Sequence, residues 1–182
     1  MKHNLKIFLL SLVFCVLATV RGVAQSPRLS DFSKISVFTI GPGDELFSKF
    51  GHSAIRVMDP QHSIDIVFDY GVFDFDEPNF YLKFARGKLK YRLAADTYDR
   101  FYRRYQYYGR SLTEQQLNLN LAQRQAVFDF LSENYKPENR YYLYDFFYDN
   151  CASRLKDVMV GALGENVRFD NSPLEEQRSF RE

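Results

Sequence analysis

SAIRVM (Ser53 to Met58) and SIDIVFDY (Ser63 to Tyr70), joined by Asp59-Pro60-Gln61-His62, decide how the rest of the chain is read. Both runs read as strands, and the connector is rich in turn formers. Together they predict an antiparallel hairpin at the centre of a sheet. Upstream, ISVFTI (Ile35 to Ile40) ends at Gly41-Pro42-Gly43 and reads as a strand and turn. Residues 44–50 have room for one or two helical turns before Gly51.

Downstream, Pro78 to Phe84 suits a short helix with Pro78 near its first turn, and KLKYRLA (Lys88 to Ala94) alternates like a half-buried strand. Tyr98, Phe101, Tyr102, Tyr105 and Tyr108 recur at helical spacing, with Arg100, Arg103 and Arg104 between them. This is an amphipathic helix with an aromatic core face and solvated arginines. Leu112 to Leu119 reads as extended. Asn120 and Gln123 form a capping-box pair ahead of a helix ending near Pro137. Arg140 to Tyr148 is an aromatic approach segment. From Cys151 a last helix carries Leu155, Val158, Met159 and Leu163 on one face, capped by Asp149 or Asn150.

The length of 182 residues suits one domain, and 18 Phe with 13 Tyr supply ample area for a core. Lys2 and Lys6 precede an apolar run from Ile7 to Val20, and Gly22-Val23-Ala24 supplies small residues before Gln25, so residues 1–24 read as a secretory signal. The expected location is therefore the periplasm or the outer face of the cell envelope. Bulky Phe14 before Cys15 makes a poor lipoprotein context. Residues 25–182 are the expected single domain, with its core at about 35–165. Without the signal the chain has 21 basic against 23 acidic residues, which offers no field for a nucleic-acid backbone.

Removing the signal also leaves one cysteine, Cys151, and two histidines, His52 and His62. So few ligands build no metal cluster of the Cys/His kind, and no cofactor or metal is expected. A cysteine in the first turn of a helix meets unpaired N–H groups and the positive end of the dipole, which stabilise a thiolate. A cysteine hydrolase also needs an imidazole to move the thiol proton and a polar group to orient that ring. His52, at the start of a strand, is the candidate, because His62 lies in the hairpin turn. Asp65 on the returning strand is the candidate orienter, with Asp69 on the same face in reserve.

The stretches GPGDELFSKFGHSAIRV (41–57), DIVFDYGVFDF (65–75), PNFYLKFARGKLKYRL (78–93) and YLYDFFYDNCASRLKD (142–157) resemble the Lnb N-terminal periplasmic domain family. The pairs Gly51-His52 and Asn150-Cys151 are the most specific parts of the match. That family in turn resembles the circularly permuted, NlpC-like branch of papain-related cysteine hydrolases, which includes relatives of lecithin:retinol acyltransferase. The resemblance implies an α+β fold in which a small antiparallel sheet packs against helices, with the histidine strand first and the cysteine helix last. It implies Cys151 as nucleophile and His52 as base, with Asp65 matching the third position less closely. The expected activity is an exported thiol hydrolase or acyltransferase acting on an amide or ester of the cell envelope, peptide or lipid. The family name also points to work beside another exported enzyme. The alternative is thus an accessory or chaperone-like domain facing a membrane surface or a second envelope protein.

Overall fold

The computed structural model describes residues 26–170 except Phe75. The signal segment and the polar tail from Leu174 to Glu182 lie outside the described residues. Six strands form one fully antiparallel sheet: β1 (Lys34–Ile40), β2 (His52–Asp59), β3 (Ile64–Val72), β4 (Lys90–Thr97), β5 (Leu112–Gln116) and β6 (Tyr141–Leu143). Their order is β5-β1-β2-β3-β4-β6, so the hairpin β2-β3 occupies the centre. Four α-helices are described: α1 (Phe80–Ala85), α2 (Tyr98–Tyr107), α3 (Leu121–Tyr135) and α4 (Cys151–Leu163). The class is α+β.

Both faces of the sheet are covered. On one, Ile35, Ile55, Val57, Phe68 and Leu93 pack with Val127, Phe128 and Leu131 of α3 and Val158 and Leu163 of α4. On the other, Phe38, Ile40, Ala54 and Val67 pack with Phe101 and Tyr105 of α2. This explains why Val67 and Phe68 are both buried although neighbouring strand residues point to opposite faces. Each such side chain contributes about 1.5–3 kcal/mol on burial, so the layers themselves hold the hairpin in register. A third, smaller cluster joins Phe80 of α1 to Leu89 and Tyr91 of β4.

Two local readings change. The helix expected over Pro78 to Phe84 starts only at Phe80, with Pro78 just before it and Asn79 in a left-handed conformation (φ 59). The aromatic approach segment contains the edge strand β6, whose Tyr142 lies opposite Tyr91. Three residues are too few to show an alternation in sequence.

Asp59, at the end of β2, is fully buried. Its carboxylate accepts from the Ser30 N–H and hydroxyl (both 2.6 Å), the Gln61 N–H (3.1 Å) and His62 Nδ1 (2.9 Å). Burial alone would raise its pKa, but the hydrogen bonds from Ser30, His62 and Gln61 outweigh it and hold the carboxyl well below the usual range. A depressed folded pKa contributes stability that is present above the unfolded value of about 4 and is lost as pH falls below it. Asp59→Ala should cost about 2–4 kcal/mol at pH 7 by stranding these donors. Asp59→Asn should flatten the loss of melting temperature below about pH 4. Melting curves from pH 2 to 7 check both.

Candidate functional site

Asn150 caps α4. Its side chain accepts from the N–H groups of Ala152 (2.9 Å) and Ser153 (3.0 Å), while the Asn150 N–H donates to the Ser153 hydroxyl (2.8 Å). The box uses the second and third N–H groups of the helix and leaves that of Cys151, the first, outside the cap. Asp149 is occupied elsewhere, accepting from Arg154 Nε and Nη2 at 2.5 Å each.

His52 opens β2 directly after Gly51, whose φ of 77 falls in the left-handed region. A Cβ at Gly51 would also lie 2.8 Å from the Ile40 carbonyl oxygen, so glycine is what brings the chain into β2 at this angle. Across the hairpin the ladder runs from Asp59↔Ile64 to Ile55↔Phe68. Continued, that register sets Gly71 beside His52 and makes Asp69 its diagonal neighbour on the same face. Asp65 shares the face but lies six residues from Gly71, about 20 Å along the strand.

The structure accordingly brings Asp69, not Asp65, to His52. His52 Nε2 donates to Asp69 Oδ1 at 2.5 Å. Asp65 instead accepts from Arg56 Nε (2.7 Å) and Nη2 (2.8 Å) as a two-pronged ion pair toward the turn end of the hairpin. Asp65, the expected partner, therefore does not meet His52, for a reason of register, and Asp69, held in reserve, does. His62 bonds Asp59 in the turn and takes no part in the site.

With Nε2 bonded to Asp69, Nδ1 is the ring nitrogen left for Cys151, which shares a hydrogen bond with His52. Burial pulls the His52 pKa down, but the charge and hydrogen bond of Asp69, aided by Cys151, win and raise it to about 10. Burial pushes the Cys151 thiol up. The hydrogen bond and charge of His52, with a hydrogen bond from the Ser53 backbone, outweigh that and lower it. Both shifts favour a thiolate facing an imidazolium. On the far side Arg104 of α2 reaches Asp69 Oδ2 at 3.9 Å and Asp96 at 2.6 Å.

Cys151, His52 and Asp69 line one cavity of about 230 Å³, walled by Phe73, Tyr105 and Tyr144. A second cavity of about 730 Å³ adjoins it, sharing Phe47, Ser48, Arg104, Tyr105 and Arg110. Around them stand exposed aromatic rings, among them Phe50 (87%), Tyr81 (81%) and Phe146 (45%). Arg104 and Arg110 carry no signal of a place in the site in their sequence, because it depends on how α2 and the turn after it pack on the sheet. Among the described residues no group of three His, Cys, Asp or Glu side chains is placed to hold a metal ion.

The model of the Lnb N-terminal periplasmic domain family matches residues 28–181, and the chain belongs to that family. No curated protein and no solved structure shows significant similarity to it. The family places the protein in the periplasm. No helix among the described residues is long and apolar enough to cross a membrane.

Proposed function

We propose that this periplasmic protein is a thiol hydrolase or acyltransferase acting on an amide or ester of the cell envelope, with Cys151 as nucleophile, His52 as acid and base, and Asp69 as the group that orients His52. The observation that carries this is that Cys151, His52 and Asp69 line one cavity, with His52 bonded to Asp69 at 2.5 Å and the charges of His52 and Cys151 favouring each other. The order of the parts, histidine strand before cysteine helix, supports reading the fold as the permuted papain-like one.

The Cys151 thiolate attacks the carbonyl carbon, forming a C–S bond and placing negative charge on the carbonyl oxygen. The Cys151 N–H, which the helix cap does not use, donates to that oxygen. Collapse breaks the bond to the leaving oxygen or nitrogen, which takes its proton from the His52 imidazolium. The thioester then passes its acyl group to water or an acceptor amine, whose proton returns to His52. Asp69 holds the ring in one tautomer throughout and stabilises its positive form.

Incubation of the protein with envelope extracts, quenched in acid, should add an acyl mass to the peptide containing Cys151, released by neutral hydroxylamine. The Cys151→Ala protein should carry none. An accessory domain that keeps the site without turnover draws support from the exposed aromatic rim. Absence of an adduct on a protein whose thiol is nonetheless activated would favour that reading.

A further inference from the structure

We propose that the wall shared by the two cavities is an anion subsite, in which Arg110 receives a carboxylate or phosphate group of the substrate whose carbonyl faces Cys151. The inference rests on the hydrolase or transferase reading of the same site.

Two arginines stand in that wall. Arg104 is committed, with Nη2 on Asp96 and Nη1 near Asp69. Arg110 has no carboxylate partner among the described residues, although Asp44 and Glu45 line the outer cavity with it. Its Nε donates to the Gly41 carbonyl (2.8 Å) and its guanidinium lies over the Tyr105 ring at 5.0 Å, so the side chain is held in place. Gly43 leaves its path open, since a Cβ there would come within 3.2 Å of Arg110 Cδ. Yet Arg110 Nη2 is shut off from water without a hydrogen-bond partner among the described residues. A fixed guanidinium left unpaired and partly desolvated is costly to the free protein. An oxyanion in the cavities that Arg110 lines gives this charge the partner it lacks.

The test uses the intact protein and two alkylating reagents of similar size, anionic iodoacetate and neutral iodoacetamide, read by the mass of the Cys151 peptide. The ratio of their rates, iodoacetate over iodoacetamide, should fall roughly five- to tenfold in Arg110→Gln. Arg110→Lys, which keeps the charge, should retain most of the ratio. At constant ionic strength, inorganic phosphate or acetate should slow iodoacetate in the native protein. Protection by phosphate alone assigns a phosphate-type group, and protection by acetate alone a carboxylate. An unchanged ratio in Arg110→Gln, an equal fall in Arg110→Lys, or protection by neither anion would overturn the subsite. The activated thiol is judged separately, from iodoacetamide alone and its response to His52→Ala, so the two readings fail independently.

Discussion

Replacing His52 with alanine is expected to lower the thiol's reactivity at neutral pH sharply and acyl turnover by about 10²–10⁴-fold, the range of a positioned acid and base. His52 supplies both the hydrogen bond and the charge that lower the Cys151 pKa against the opposing pull of burial. With the imidazole gone, burial is left opposed only by the Ser53 hydrogen bond and the helix end. The titration should then move up, toward or above the roughly 8.5 of a free cysteine. Stopped-flow alkylation over pH 5–10, with melting curves to show that the variant is folded, measures this. The core of the hairpin is carried by Ile55, Val57, Val67 and Phe68, and His52 contributes little to it.

The second large effect separates two aspartates that look alike in sequence. Asp69→Asn keeps the shape of the side chain but removes the charge that raises the His52 pKa, and its amide is free to favour the wrong ring tautomer. Turnover should fall by about 10²-fold or more, and the imidazolium should lose its proton at a lower pH. Asp65→Asn should leave both readouts near those of the native protein. Its partner Arg56 also meets Glu114 and stacks on Tyr98, so the stability cost should stay near or below about 1 kcal/mol. Parallel turnover and melting measurements on the two variants decide the assignment. Equal losses of turnover would contradict it.

That contrast marks where reading the letters stops. The hairpin, the capping box at Asn120 and the cysteine at a helix start are local patterns, so they are visible in the residues that form them. Which aspartate meets His52 is a question of register: the turn fixes Asp59 against Ile64, and only then does the partner of each later residue follow. Expecting Asp65 to return to His52 misplaced it by four residues along the strand, while the face was right. The two arginines of the cavity wall were hidden for a similar reason. At helical spacing Arg104 lies nearer than Arg103 to the face of Phe101 and Tyr105, but what it meets there is not written in the helix itself. The packing of Phe101 and Tyr105 on the sheet settles it, leaving Arg103 on Asp99 and Arg104 toward Asp69. The edge strand β6 was likewise too short to announce itself.

The pH dependence of Cys151 alkylation by iodoacetamide in the native protein tests the central claim most directly. Reactivity should rise as the thiol ionises well below the roughly 8.5 of a free cysteine, then stay flat until His52 loses its proton near pH 10. A protein that reacts only when unfolded, or only above about pH 8 with a profile that His52→Ala leaves unmoved, would contradict the account and leave Cys151 an ordinary half-buried thiol.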